Sequence, residues 1–212
     1  MTDPDRVDLD KRTTLRRFAA VGAMSPFAGL VDTASAEPSE GGESTRHAIV
    51  GYLSTTPGAH FSKVRDDLGL GTGETQYHLE ELLDRGAVVA YADGDYRRFV
   101  PAGRFSPFER TALGHLRRET ARGVLITLLE SPDATGREIA DRVGVSPATV
   151  SRTLADLTAA DLVDRNEEIR VRRPETIITL LVRYADSFDR EVQEFANAVD
   201  TLIVYRPDAD RE

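Results

Sequence analysis

The stretch Glu138–Leu157, EIADRVGVSPATVSRTLADL, decides the fold. Ile139, Ala140 and Val143 recur at helical spacing, Gly144 permits a tight turn, and Val145 fills the gap between the elements on either side. Ser146 is a capping residue, and Pro147 suits the first position of a new helix. Along that second helix Val150, Leu154 and Leu157 share one face, which leaves Ala148, Ser151, Arg152 and Ala155 pointing away. The pattern is that of a helix-turn-helix, and the outward face is the kind that enters a DNA major groove.

The same spacing occurs 75 residues earlier in Lys63–Leu82, KVRDDLGLGTGETQYHLEEL. Val64, Leu68, Gly69, Leu70, Leu79 and Leu82 take the inward and turn positions, and Gln76 and Tyr77 stand where Ser151 and Arg152 stand later. Each unit runs on into a strand pair. Ala87–Val100 has two strand-forming runs around Asp93-Gly94, a dipeptide suited to a type I′ hairpin. In Leu162–Arg173, Ile169 and Val171 point inward and Arg170 and Arg172 outward. A helix-turn-helix followed by a hairpin is a winged helix, so the expected fold is mainly α with small β-hairpin wings, in two such domains.

Over roughly residues 45–173 the chain resembles the winged helix-turn-helix regulators of archaea and bacteria, in the broad group of MarR-, ArsR- and TrmB-like proteins. The residues that carry the likeness are VSPATVSRTLADLTAADLV (145–163) and GLGTGETQYHLEELLDRGAVV (69–89), the latter similar to a haloarchaeal variant. The resemblance implies promoter DNA as ligand and transcriptional control as role.

Composition restricts this expectation. A chain of 212 residues holds two small domains and little else. With no Cys there are no disulfides, thiol sensors or cysteine zinc sites, and His47, His60, His78 and His115 lack metal-ligand spacing, so no metal or cofactor is expected. Of 27 basic residues only Lys11 and Lys63 are lysine, and the net charge of -9 suits a salt-rich cytoplasm. Acidity opposes binding to a duplex, because affinity rests on neutralising phosphates. The excess is local: residues 106–173 carry 11 basic and 11 acidic residues, whereas residues 174–212 carry 4 and 9. Residues 45–104 balance 7 basic with 8 acidic, yet Glu74, Glu80 and Glu81 fall on the outward face of their second helix, so the later module is the expected reader.

Candidate DNA contacts follow. Pro147, Ala148, Thr149, Ser151 and Arg152 form the face of the later recognition helix. Arg152 has two competing readings, a bidentate hydrogen bond to guanine or a phosphate contact from a solvated side chain. Arg165, Arg170, Arg172 and Arg173 in the second wing suit backbone contacts, against a plain reading as edge-strand solubilisers. Gln76, Tyr77, Arg97 and Arg98 are the weaker set in the first module, and Tyr77 with His78 could equally pack inside it.

Ser106–Glu109, SPFE, is a capping box with proline at the first helical position, so a stiff helix is expected to join the modules. From Pro174 to about Tyr205 one long helix is expected. Ile177, Leu181, Tyr184, Phe188, Val192, Phe195, Val199 and Leu202 form an apolar seam near the coiled-coil period. The seam points to a homodimer, against packing within the same chain.

At the other end, Lys11–Ala36 combines Arg16-Arg17, a short apolar stretch and a closing Ala34-Ser35-Ala36, which resembles a twin-arginine export signal. Its competing readings are a flexible or start-site-extended tail and an amphipathic arm touching membrane or DNA. The apolar stretch is too short to span a bilayer. Glu37–Thr45 reads as a polar linker. The expected organisation is therefore a flexible or signal-like segment (1–44), winged domain one (45–104), connecting helix and winged domain two (105–173), a dimerisation helix (174–205) and a tail (206–212).

No phosphate loop, nucleophile motif or catalytic acid pair stands out, so no enzyme is expected. The leading expectation is a cytoplasmic, homodimeric regulator of double-stranded DNA. The rival is an acidic tandem winged-helix scaffold for protein partners, similar to chromosome-segregation or transcription-machinery adaptors.

Overall fold

The computed structural model describes residues 40–166 and 168–202. Its contacts divide it between Arg110 and Thr111 into two compact units. The first unit comprises α1 (Glu40–Thr55), β1 (Ala59–His60), α2 (Phe61–Leu68), α3 (Thr72–Asp84), β2 (Val88–Asp93) and β3 (Tyr96–Pro101). Its sheet has β3 in the middle, antiparallel to both β1 and β2. Ile49 and Leu53 of α1, Val64 and Leu68 of α2, Leu79 and Leu82 of α3, and Val88 and Phe99 of the sheet meet in one buried core. Each such side chain contributes about 1.5–3 kcal/mol on burial, which makes this core the dominant stabilising element of the unit.

α4 (Pro107–Leu116) crosses the division between the units and opens with the expected capping box. The Ser106 N–H donates to Glu109 Oε2 at 2.7 Å and the Glu109 N–H to Ser106 Oγ at 3.3 Å. The second unit continues with α5 (Glu119–Glu130), α6 (Gly136–Val143), α7 (Pro147–Ala159), β4 (Val163–Asp164), β5 (Arg170–Val171), α8 (Pro174–Arg183) and α9 (Arg190–Leu202). α5 is its hub, packed against α6, α7 and β5. At Gly123 of α5 a Cβ would come within 3.2 Å of Val143 Cγ1, so the glycine sets how closely α6 approaches.

The internal repeat survives in backbone detail. α2 and α6 both end at a left-handed glycine, Gly69 (φ 63°) and Gly144 (φ 73°). After α3 and α7 the chain again turns left-handed, at Gly86 (φ 66°) and Asp161 (φ 58°). In both, a hydrogen bond of 2.9 Å closes the end, from Ala87 N to Leu82 O and from Leu162 N to Leu157 O. The next residues, Val88 and Val163, each begin a strand.

Several expectations are corrected. The polar linker expected up to Thr45 is already helical from Glu40, because α1 is held by its later turns. There Ala48, Ile49 and Leu53 are fully buried, and Arg46 reaches Glu81 of α3 at 2.8 Å. The first hairpin turns on Gly94-Asp95, not Asp93-Gly94: Asp93 pairs with Tyr96, and of the two turn residues only Gly94 has positive φ, as in a type II′ turn. The single long C-terminal helix is two helices. α8 stops at Arg183, a 3₁₀ turn spans Ala185–Ser187, and Asp189 accepts the Val192 N–H at 3.3 Å to start α9.

α8 and α9 then pack on each other, and Ile177, Leu181, Tyr184, Val192, Phe195 and Val199 are buried within the one chain while Phe188 is half-buried. Those six described residues of the apolar seam are thus covered inside this unit. Arg117 stacks 4.2 Å from the Phe188 ring and donates to Ser187 O at 2.7 Å, and Arg122 pairs with Asp189, so two arginines fasten the turn of this hairpin. The side chain of Leu202 and the signal-like stretch Lys11–Ala36 lie outside what is described, as do residues 203–212. Among the described residues no helix is long and apolar enough to cross a membrane.

Candidate nucleic-acid interface

α7 owes its start to local chemistry. The Ser146 hydroxyl accepts the Thr149 N–H at 3.1 Å and lies 2.9 Å from Thr149 Oγ1, and Pro147 occupies the first turn, where its missing N–H costs nothing. Val150, Leu154 and Leu157 anchor the helix on its buried face. Pro147, Ala148, Thr149, Ser151, Arg152 and Ala155 are all exposed on the other. That face is built of small groups except for Arg152, which has no ion-pair partner among the described residues. Asp156, one turn further on, is also exposed and marks the anionic limit of the surface.

The second wing carries Arg165, Arg170, Arg172 and Arg173, all exposed. Arg170 pairs with Glu168, and Arg172 lies 3.0 Å from Asp161 and 3.2 Å from Asp164. The Asp164 carboxyl is held below its ordinary range, first by the Asn166 N–H and then by Arg172. Such exposed pairs are worth little and can be exchanged for phosphate contacts. Arg173 adopts a left-handed conformation (φ 48°) where the wing passes into α8.

The first module presents a different surface. Tyr77 is 61% exposed at the position equivalent to Arg152, and Gln76 donates to Glu80 at 3.0 Å. Of the three acids expected to face outward, Glu80 does. Glu74 accepts the Gly71 N–H at 3.3 Å at the start of α3, and Glu81 is bound by Arg46 and Arg85. His78 is buried rather than placed to meet a ligand.

Arg98 is a further correction. It is 3% exposed, donates to Asp93 at 2.5 Å and to Gly58 O at 3.0 Å, and cannot reach a duplex, whereas Arg97 is exposed. Adjacent strand residues point to opposite faces, so the two arginines could not both face outward. The part-buried pair Arg46–Glu81 and the buried pair Arg98–Asp93 escaped the sequence reading. Arg98 could have been found from strand alternation; Arg46 and Glu81, 35 positions apart, leave no local signal.

His60 of this module caps α2 by accepting the Lys63 N–H on Nδ1 at 3.3 Å. Burial, then the neighbouring Arg98 and Lys63 cations, holds its imidazole below the ordinary value of 6.5. The unfolded chain therefore takes up this proton more readily. The stabilisation is fully present above 6.5 and is lost as pH falls through the folded-state value. His60→Asn keeps a capping acceptor without the titration, so its stability should vary less as pH falls from 6.5. Urea unfolding over that fall in pH checks this, and equal slopes in both proteins would refute it.

Among the described residues no group of three or more His, Asp or Glu side chains is placed to hold a metal ion. Comparison with known families gives two matches: a model described as an N-terminal HTH domain over residues 43–113, and a MarR family model over residues 113–174. No curated protein and no solved structure matches the chain.

Proposed function

Because the chain is a tandem winged helix-turn-helix protein with a MarR-family domain as its second module, a DNA-binding regulator in general terms, we propose that it reads promoter DNA mainly through that second module. The observation that carries this reading is the exposed face of α7, where Arg152 stands among small side chains with no ion-pair partner among the described residues. Small groups let the helix approach base edges closely, and a lone guanidinium is suited to guanine. Arg165, Arg170, Arg172 and Arg173 supply the phosphate contacts that fix register. Such a ligand places the protein in the cytoplasm with the chromosome.

Two copies acting on related half-sites would complete the reading. Ile178, half-buried, and Val182, 39% exposed, are aliphatic side chains that α8 leaves at the surface, and they are the proposed contact. Light scattering on the protein and on Val182→Glu tests this, since a monomer in both would remove the dimer from the account.

Selection from randomised duplexes over a series of KCl concentrations tests the reading itself. Enrichment of one motif supports it, and equal retention of all duplexes contradicts it. The scaffold reading keeps one supporting observation, the anionic and aromatic face of α3.

A further inference from the structure

The exposed face of α3 carries Thr72, Gly73, Gln76, Tyr77, Glu80 and Asp84 and not one cation. Tyr77 is the most exposed large hydrophobic side chain described, at 61%. Glu80 contacts only the Gln76 amide among the described residues, and Asp84 has no ion-pair partner there. Tyr77, Glu80 and Asp84 follow at spacings of three and four and so form one stripe along the helix. Glu81, three positions before Asp84, is the residue that Arg46 of α1 grips at 2.8 Å. The chain enters α1 at Glu40, six residues before Arg46 and about 9 Å from it at helical rise.

The chain that precedes α1 contains the complement. Residues 11–31 hold Lys11, Arg12, Arg16 and Arg17 and no carboxylate, with Leu15 and Phe18 between and beside the arginines. Twenty-two residues separate Arg17 from Glu40, enough for about 70 Å of extended chain, so reach does not limit contact. A tether of this kind gives a local concentration in the millimolar range, at which a few exposed charge pairs and one cation–aromatic contact suffice.

We propose that the stretch Lys11–Phe18 of the same chain docks on the Tyr77, Glu80 and Asp84 face of α3. The carboxylates meet the guanidinium and ammonium groups, and the Tyr77 ring takes an arginine or Phe18 against its face. A duplex would meet only like charge there. The proposal concerns the DNA-free protein and stands or falls apart from the reading of DNA by α7.

The full chain contains no cysteine, so Thr14→Cys provides a single site for a nitroxide label. The expected result is selective broadening of the amide signals of Tyr77, Glu80 and Asp84 in the labelled protein. It should disappear with Glu80→Lys/Asp84→Lys and, separately, with Arg16→Glu/Arg17→Glu, while the dispersed spectrum of the folded module is kept. No broadening of α3 overturns the proposal, as does broadening that survives both charge reversals. Mixing labelled chains with isotope-enriched unlabelled ones identifies a second copy as the occupant if α3 still broadens, which also overturns docking within one chain.

Discussion

Arg152→Ala lowers affinity for the specific duplex by about 1–3 kcal/mol, roughly 5- to 150-fold, and removes most of the preference at one base pair. The size follows from position. Arg152 projects from the exposed face of α7, with Val150 and Leu154 buried beside it to fix the helix orientation, and no ion pair has to be broken before it meets a base. Fluorescence anisotropy with the selected duplex and its single-base variants reads both effects. Arg165→Ala should weaken all duplexes alike and lower the salt slope by about one, as a phosphate contact does. Arg172→Ala should act in the same direction but less, because Asp161 and Asp164 already occupy its guanidinium in the free protein. Equal and uniform losses from Arg152 and Arg165 would remove Arg152 from base recognition.

Arg98→Ala destabilises the first module by about 3–5 kcal/mol, the range for removing one partner of a buried ion pair. Arg98 and Asp93 side chains are 3% and 9% exposed, so the carboxylate left behind cannot recover its lost partner from bulk water. Gly58 O loses its guanidinium donor at the same time. Because β3 is the middle strand, the damage falls where β1 and β2 both pair. Arg97→Ala, one residue away on the opposite face, should stay within about 0.5 kcal/mol of the parent. Urea unfolding of both variants decides the matter; an Arg98→Ala protein as stable as Arg97→Ala would contradict the buried pair.

What could be read in the sequence was whatever local rules dictate. Gly69 and Gly144 announce left-handed turns, Ser146 with Pro147 announces a helix start, and Ser106 with Glu109 a capping box, each through contacts a few residues apart. The apolar faces of α2, α3, α6 and α7 were equally legible because burial follows helical period. What was not legible depends on distant partners. The start of α1 rests on Arg46 meeting Glu81, and the break between α8 and α9 on Arg117 and Arg122 clasping Phe188 and Asp189, some 70 positions away. A heptad-like spacing cannot say whether its seam meets another chain or folds back, and here the two halves of the seam cover each other. On the candidate interface, α7 needed only periodicity, whereas the fate of Arg98 required the strand register.

The central claim, that α7 reads DNA sequence, is tested most directly by genome-wide crosslinking and sequencing of the tagged full-length protein in its native cells beside Arg152→Ala. This keeps the intracellular salt on which duplex affinity depends. Sharp enrichment upstream of genes, sharing one motif and fading in the variant at equal protein abundance, is the predicted result. Uniform genomic coverage by an abundant, intact protein, or peaks unaffected by Arg152→Ala, would contradict it.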